Sequence, residues 1–317
     1  MSYQVLNGDA LTMLKALPSE SVNCIVTSPP YYGLRDYGHD GQIGLEQTPQ
    51  EFIGKLVDVF HECRRVLTKD GTCWVNMGDS YASGGRTYRD ADEKLQQRGM
   101  SVRLKDAQGI KPKDLLGIPW RLAFALQDDG WYLRSEIIWA KPNPMPESVT
   151  DRPTKAHEQI FLLTKSARYA YNAEAIKEPV LDVSLKRAEY KWDCDRPSTK
   201  NASMGGQGIH VEKMGNRFVN PNGRNARTVW TIATEPYPGA HFAVFPSEIP
   251  KRCILAGCPE NGVVLDPFAG SGTTLAVAVS LGRQAIGLEL NPEYVALIRE
   301  RMSGVIPSLF AEATNGS

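Results

Sequence analysis

The stretch Val263-Val-Leu-Asp-Pro-Phe-Ala-Gly-Ser-Gly-Thr-Thr274 decides the fold. Its apolar start predicts a strand, its glycines predict a tight turn, and the apolar residues 275–281 predict a helix. A second predicted strand, Gln284–Leu288, runs into Glu289, which lies 19 residues after Gly270. Strand, glycine turn, helix, strand and terminal acid in this order are typical of a nucleotide cradle. The glycines admit the ligand, helix N–H groups face it, and the acid bonds ribose hydroxyls.

The glycine pattern limits the classes of ligand that this cradle can bind. No Gly-Lys-Ser/Thr follows the turn, so the pattern is not a phosphate loop. It also departs from the Gly-x-Gly-x-x-Gly of dinucleotide enzymes. A ligand that contains adenosine but no phosphate therefore fits best.

A second motif, Thr27-Ser-Pro-Pro-Tyr31, follows the apolar run 21–26. The two prolines have fixed φ angles and stiffen the loop, so its carbonyl oxygens point in set directions. Between the Ser28 hydroxyl and the Tyr31 ring, such a loop can hold a planar amino group and stack on its ring. Pro-Pro dipeptides also commonly mark turns and loops, so an ordinary strand-to-loop turn is the alternative for this motif taken alone.

The composition excludes several classes of protein. The 36 basic and 36 acidic residues cancel, so overall charge says nothing about a polyanionic partner, and any basic surface must come from local segregation of charge. No apolar run is long enough for a membrane span, and residues 1–9 lack the features of a signal peptide. Six scattered cysteines without paired Cys-x-x-Cys spacing indicate reduced thiols in a cytoplasmic protein and no metal site.

Strand and helix patterns alternate along most of the chain, which predicts a parallel sheet with helices on both faces. The expected helices cover 10–17, 49–67 and 115–126, and the expected strands cover 21–26, 72–76, 133–139 and 159–164. Lys69-Asp-Gly71 predicts a turn between the second helix and the strand 72–76. Asn291-Pro-Glu-Tyr294 resembles a catalytic Asn-Pro-Pro-Tyr, but its position after an acid-tipped strand favours a helix start.

Two segments interrupt this pattern. Residues 80–114 carry basic side chains and few large apolar residues, so we expect a mobile, slightly basic insertion. Residues 184–228 mix lysine and arginine with amide and aromatic side chains, a composition that suits phosphate contacts and reading of base edges. A solvated, partly disordered insertion is the alternative for this second segment.

The two motifs and their order in the chain resemble those of a known enzyme family. The glycine stretch from Asp266 to Thr274 resembles the S-adenosylmethionine loop of the DNA amino-methyltransferases, and Thr27–Tyr31 resembles their catalytic motif. The catalytic motif comes first here, a basic region lies between, and the cofactor loop comes last, which resembles the β group of these enzymes. Further segments similar to family motifs are Gly8-Asp9, 117–123, 130–134, 137–141, His157-Glu158 and 241–246.

The resemblance implies a fold and a division of the chain. The fold is α/β: a permuted S-adenosylmethionine-dependent methyltransferase fold, Rossmann-like, with a mostly parallel seven-stranded sheet, helices on both faces and an inserted target-recognition region. The catalytic domain would comprise 1–183 and 229–317. The target-recognition region would be 184–228, and 80–114 would be an insertion.

The resemblance also implies which residues act. Catalysis would rest on Ser28, Pro29, Pro30 and Tyr31. The cofactor S-adenosylmethionine would contact Asp9, Thr27, His241, Phe242, Phe245, Pro246, Asp266, Pro267, Phe268, Ala269, Gly270, Ser271, Gly272, Thr273, Thr274, Glu289, Leu290 and Asn291. Contacts to DNA would come from Lys186, Arg187, Lys191, Arg196, Arg217, Arg224 and Arg227.

The expected reaction is direct methylation of an exocyclic amine on a base flipped out of duplex DNA. Ser28 Oγ and the Pro29 carbonyl would accept the amine hydrogens, and Tyr31 would stack on the base. No cysteine follows Pro29 as carbon-5 methylation would require. In the family, Ser-Pro-Pro-Tyr is associated chiefly with cytosine-N4 and Asp-Pro-Pro-Tyr with adenine-N6. We therefore expect cytosine, with adenine as the alternative because hydroxyl and carboxylate both accept from an amine.

The sequence leaves two alternative functions to consider. A protein or RNA amine methyltransferase normally has its cofactor loop before its catalytic loop, which is not the order here. A non-catalytic DNA-binding subunit is disfavoured because Ser28, Tyr31, Asp266 and Glu289 are all present. The expected partner is double-stranded DNA in a prokaryotic or phage-infected cell. A restriction endonuclease acting on the same site and a homodimer are further expectations that these residues leave open.

Overall fold

A computed structural model describes residues 2–34, 38–39, 41–82, 110–180, 223–235 and 245–314. Its strands within these ranges are β1 (Tyr3–Asn7), β2 (Val22–Thr27), β3 (Leu67–Met77), β4 (Tyr132–Ala140), β5 (His157–Thr164), β6 (Val229–Thr231), β7 (Val263–Asp266) and β8 (Gln284–Glu289). Its α-helices are α1 (Ala10–Ala16), α2 (Pro49–Val66), α3 (Ile118–Asp128), α4 (Glu248–Gly257), α5 (Thr273–Ser280) and α6 (Pro292–Thr314).

The strands form one sheet in the order β1-β8-β7-β2-β3-β5-β4-β6. Only β5 runs against its neighbours β3 and β4, so the predicted α/β fold with a mostly parallel sheet is confirmed. The described part of the sheet has eight strands where seven were predicted. The observed strands that the sequence patterns did not predict are β1 and β6. Strand β6 has only three residues, too few for sequence periodicity to reveal, and forms by pairing with the end of β4.

The order of the strands creates a switch point between β7 and β2. The unit β7–α5–β8 runs toward one edge of the sheet, whereas β2–α2–β3 runs toward the other. Because parallel crossovers are right-handed, α5 and α2 lie on opposite faces of the sheet. A crevice opens at the carboxyl ends of strands at such a point, which is where ligands bind in open α/β sheets.

Alternating side chains of β3 show that both faces are covered. Cys73 and Val75 belong to the core cluster that contains the buried faces of α1, α2 and α3. On the opposite face, Thr72 Oγ1 donates to the carbonyl of Gly257 in α4 at 3.0 Å, and Trp74 Nε1 donates to Thr72 Oγ1 at 3.1 Å. This central strand is buried on both sides, as parallel sheets require.

Helix α2 begins and packs as its sequence predicts. Thr48 and Glu51 form a capping box that encloses Pro49, a residue that suits the first helical position. Phe52, Leu56 and Phe60 recur at helical spacing and are fully buried. The helix ends at Val66, one residue before the predicted end, and β3 starts immediately at Leu67.

One local prediction is wrong. A turn was expected at Lys69–Gly71, but these residues lie inside β3. The pairing shifts there, because Val22 faces Leu67 while Cys24 faces Thr72. The polar, glycine-containing segment therefore forms an irregularity in the strand, a tertiary adjustment that local turn chemistry does not reveal.

The chain divides into two units by its internal contacts. The first, Met1–Asn172 with Thr228–Ser317, carries the sheet and the helices named above. The second is Ala173–Arg227, in which the structure describes 173–180 and 223–227. Within it, Glu174–Ile176 form a single 3₁₀ turn and Glu178 forms a bridge with Arg224. Among the described helices, none is both long and apolar enough to cross a bilayer.

We expect Phe60→Ala to lower the free energy of unfolding by about 3–5 kcal/mol, because it empties a fully buried aromatic site on α2. The matched control is Phe124→Ala on α3, whose ring is 54% exposed and whose loss should change stability by less than about 1 kcal/mol. Urea unfolding followed by circular dichroism measures both. Equal effects of the two substitutions would contradict the assigned core.

Candidate active site

A cleft of about 790 Å³ lies at the carboxyl ends of the central strands and collects both sequence motifs. Its volume is in the range typical of small-molecule sites. The predicted residues that line it are Asp9, Ser28, Pro29, Pro30, Tyr31, Phe245, Asp266, Pro267, Phe268, Ala269, Gly270, Ser271, Thr273, Thr274, Glu289, Leu290 and Asn291. The two motifs, more than 200 residues apart in the chain, therefore share one cavity.

The motifs are joined by a hydrogen bond between adjacent strand ends. Thr27 Oγ1, at the end of β2, donates to Asp266 Oδ1, at the end of β7, at 2.6 Å. Asp266 also accepts from Thr274 Oγ1 at 2.7 Å and from the backbone N–H of Phe268 at 3.1 Å. Burial raises the pKa of Asp266 to about 6, while these three hydrogen bonds favour its charged form. Asp266 thus fixes the glycine loop against the catalytic loop.

Glu289 closes the cradle from the tip of β8. Its Oε2 accepts from the backbone N–H of Gly270 at 2.8 Å, and its Oε1 accepts from that of Asn291 at 2.9 Å. Each carboxylate oxygen keeps a second lone pair that can accept a hydroxyl. Burial, with a smaller contribution from the nearby charge of Asp266, raises the pKa of Glu289 to about 7, although the hydrogen bonds from Asn291 and Gly270 lower it. The residue that spacing predicted for ribose is therefore at the cleft with free acceptor capacity.

The N-terminal strand brings Asp9 to the same place. Strand β1 pairs with β8, and the Gly8 N–H donates to the Glu289 carbonyl at 2.9 Å. Asp9 caps α1 by accepting from Thr12 N at 2.9 Å and from Thr12 Oγ1 at 2.8 Å. One end of the cleft therefore combines an acid from the start of the chain with one from near its end.

The catalytic loop belongs to a polar network that the sequence motifs alone did not reveal. Tyr31 donates its hydroxyl to Glu158 Oε2 at 2.6 Å, and Asn76 Nδ2 donates to both Tyr31 Oη and Glu158 Oε2 at 2.9 Å. Lys141 Nζ donates to Glu158 Oε1 at 2.5 Å. Burial, followed by the charge of Glu158, raises the pKa of Tyr31 well above its usual value. We refer to Ser28, Tyr31, Asn76, Lys141 and Glu158 as the tyrosine network.

Three members of this network were missed as site residues. Lys141 and Glu158 lie in segments similar to family motifs, and Asn76 ends a predicted strand, but none carried an assigned role. Their signal was a polar or charged side chain at the edge of an apolar strand. Strand pairing brings them together: Trp139 of β4 faces Glu158 of β5.

Gly78 provides the surface against which the Tyr31 ring packs. A Cβ atom built on this glycine would lie 2.5 Å from Cε2 of Tyr31, closer than real contacts allow. The ring is thus held between a backbone that carries no side chain and the hydrogen bond of its hydroxyl to Glu158. Its orientation is set before any ligand enters.

Not every predicted residue lines the cleft. Thr27, Pro246 and Gly272 lie outside its lining. Thr27 is buried on Asp266, and Gly272 adopts a φ of 78° ahead of α5. Arg224 and Arg227 both pair with Glu178, at 2.9 and 3.0 Å. The predicted residues that fall outside the described ranges are Lys186, Arg187, Lys191, Arg196, Arg217, His241, Phe242 and most of the 80–114 insertion.

The described ranges contain no group of three or more His, Cys, Asp or Glu side chains arranged to hold a metal ion. Cys24, Cys63, Cys73, Cys253 and Cys258 are free and buried, and burial raises the pKa of each thiol.

A family model described as DNA methylase, covering N6 and N4 amino-methyltransferases, matches residues 22–300 of this chain. The chain belongs to the N6/N4 DNA methylase family. Both the sequence resemblance and the expected class of enzyme are confirmed by this match. The protein is thus a DNA methyltransferase of the family that acts on amino groups.

Relatives of this DNA methylase extend over nearly the whole chain. Type II methyltransferase M.SmaI of Serratia marcescens is 50% identical over 301 residues, which is 95% of this chain and 91% of the relative. Type II methyltransferase M.Cfr9I of Citrobacter freundii is 51% identical over 300 residues, which is 95% of this chain and 87% of the relative.

Solved structures share the fold of this DNA methylase. The PvuII DNA methyltransferase, named as cytosine-N4-specific, superimposes with a TM-score of 0.62 at 18% identity, over 95% of this chain and 86% of that one. A protein of Thermus thermophilus, solved in complex with S-adenosyl-L-methionine, superimposes with a TM-score of 0.57 at 23% identity, over 97% of both chains. These likenesses confirm the methyltransferase fold.

We expect the free energy of unfolding of the DNA methylase to fall as pH rises between about 4.5 and 7. Glu289 has a raised pKa in the folded state, so the native protein holds a proton that the unfolded chain has already lost. Asp266 acts in the same direction between 3.8 and about 6.

Glu289→Gln should remove about 2 kcal/mol of this decline between pH 5 and pH 8. Urea unfolding of wild type and variant at both pH values measures it. Parallel pH profiles for the two proteins would contradict the assigned environment of Glu289.

Proposed function

We propose that this DNA methylase transfers a methyl group from S-adenosylmethionine to the exocyclic N4 amine of a cytosine flipped out of duplex DNA. The observation that carries the proposal is that the Ser28–Tyr31 loop and the glycine cradle line one cleft and are joined by the Thr27–Asp266 hydrogen bond. The amine and the methyl donor can thereby meet in one cavity, and such positioning supplies much of the rate in a direct displacement.

The cradle residues fit an adenosine ligand that carries positive charge. Glu289 retains lone pairs for ribose hydroxyls, and Asp9 offers an acceptor for the adenine amine. With Asp266, these carboxyl groups give the cleft a negative potential that suits a sulfonium and an ammonium group. When bound, S-adenosylmethionine supplies an electrophilic methyl group. The chain itself contributes binding, orientation and exclusion of water.

The catalytic loop activates the target amine. The lone pair of such an amine is delocalised into the ring, so acceptors on its hydrogens are needed to localise it. Ser28 Oγ and the Pro29 carbonyl serve as these acceptors, and the Tyr31 ring stacks on the base.

The choice of cytosine rests on two supports. The first is the hydroxyl residue Ser28 in the catalytic motif. The second is the shared fold with the PvuII enzyme, whose name states cytosine-N4 specificity. Adenine-N6 is the competing outcome, since a hydroxyl and a carboxylate both accept hydrogens from an amine.

Target recognition is assigned to residues 184–228, inserted into a catalytic domain of 1–183 and 229–317. The charge of the segment supports this role, because phosphate contacts come mainly from arginine and lysine. Arg224 and Arg227, which share Glu178, are described residues of this basic segment. Because the relatives are Type II methyltransferases, we also propose a cognate endonuclease acting on the same site. A homodimer stays a prediction.

The test is expression in a host whose DNA lacks base methylation, followed by nucleoside mass spectrometry and single-molecule sequencing. We expect N4-methyldeoxycytidine at one recurring sequence, and the Ser28→Ala variant should leave the DNA unmodified while still binding S-adenosylmethionine in calorimetry. N6-methyldeoxyadenosine would overturn the choice of base. Unmodified DNA from a folded wild-type enzyme would overturn the proposed function.

We expect Gly78→Ala to lower the methylation rate about 100-fold, because the new methyl group displaces the Tyr31 ring. Affinity for S-adenosylmethionine should be unchanged. Gly54→Ala is the matched control: it lies in α2 with no atom within 4 Å of its Cβ, so it should preserve activity and slightly raise stability. Equal activity of the two variants would contradict the role given to the ring.

A further inference from the structure

We infer that Glu158 is a positioning residue: its charge directs the hydroxyl hydrogens of Tyr31 and Ser28 away from the target amine and so makes Ser28 Oγ an acceptor. The inference rests on the proposed function of the cleft. Amine activation needs Ser28 Oγ to accept a hydrogen bond. A serine hydroxyl can both donate and accept, and nothing in Ser28 itself selects the acceptor role.

The direction of the hydrogen bonds follows from Glu158 outward. A carboxylate only accepts, so Tyr31 donates its single hydrogen to Oε2 over 2.6 Å, a distance typical of a charge-assisted bond. Tyr31 Oη then has only lone pairs for its other neighbours. It accepts from Asn76 Nδ2 at 2.9 Å and from Ser28 Oγ at 3.3 Å. The Ser28 hydrogen is thereby directed at Tyr31. Ser28 Oγ also accepts from Asn76 Nδ2 at 3.4 Å, which leaves one lone pair for the amine.

Lys141 and Asn76 enforce this direction. Lys141 Nζ forms an ion pair with Glu158 Oε1 and so compensates the charge of a carboxylate whose side chain is only 13% exposed. The same ammonium group lies 4.3 Å from the centroid of the Trp139 ring. Asn76 Nδ2 donates to Glu158 Oε2 as well as to Tyr31, so its amide cannot be turned without placing oxygen against oxygen. Each neighbour of Glu158 is therefore a donor.

Glu158→Gln is a near-isosteric change that should reverse the network. Lys141 requires the oxygen of the new amide, so the amide nitrogen faces Tyr31 Oη and Asn76 Nδ2, where donors meet donors. The Tyr31 hydrogen then turns toward Ser28, and the Ser28 hydrogen turns toward the amine. Adding Lys141→Met removes the demand for oxygen on that side and lets the amide oxygen return to Tyr31.

We therefore expect the single-turnover methylation rate on unmethylated duplex DNA to fall about 100-fold in E158Q, comparable to losing one oriented hydrogen-bonding group. Affinity for S-adenosylmethionine should be unchanged. The double variant K141M/E158Q should regain about tenfold over E158Q. Glu20→Gln, which neutralises a glutamate paired with Lys165 at 3.2 Å outside the cleft, is the control and should retain wild-type activity.

A second readout does not require catalysis. In protein labelled with ¹³Cζ-tyrosine, the Tyr31 signal, identified by its loss in Tyr31→Phe, should titrate at lower pH in E158Q than in wild type, because the carboxylate raises the Tyr31 pKa. Identical Tyr31 titration in both proteins, or a double variant no faster than E158Q, would overturn the inference. Wild-type enzyme that leaves DNA unmethylated would overturn the proposed function, while the titration would still decide the charge coupling.

Discussion

The hydrogen bond from Thr27 to Asp266 is the constraint on which the site depends. It joins the ends of two adjacent parallel strands at the point where the chain reverses its direction across the sheet. The catalytic loop leaves one strand and the glycine loop leaves the other, so this bond sets their separation. Asp266 adds bonds to Thr274 and to the Phe268 backbone, which carry the same constraint into the cradle and α5. A buried carboxylate with three donors is strongly oriented, since any rotation would leave a donor unsatisfied.

Acidic side chains recur around the cleft, and their surroundings separate their roles. Asp266 accepts hydrogen bonds from groups of the protein itself, whereas Glu289 has two backbone partners and lone pairs that remain available to a ligand. Glu158 is instead compensated by Lys141 and binds the phenol of Tyr31. Burial raises the pKa values of Asp266 and Glu289, so part of the folding free energy is spent on keeping charge in the cleft. A ligand that brings positive charge would offset this cost by stabilising the charged carboxylates.

The accuracy of the sequence predictions follows from the range of the interactions involved. The glycine cradle, the predicted helix over 49–67 and the predicted strand over 21–26 are local patterns, and the structure confirms the elements that they predicted. The three-residue strand β6 and the irregular pairing of β3 were not predicted, because each forms through contacts with distant strands. Thr27, expected at the cofactor, turned out to support Asp266, since pairing buries its side chain between the two strands.

The sequence by itself determined the chemical inventory: a rigid hydroxyl-and-ring loop, a glycine cradle and an acid on the following strand. These depend on residues close together in the chain, where backbone preferences and spacing act directly. Tertiary structure alone decided how that inventory is oriented. Glu158 reaches Tyr31 across 127 positions and Asn76 across 82, through the antiparallel pairing of β5 with β3 and β4. Hydrogen-bond direction is a property of such a network, so it becomes visible only when the strands are in register.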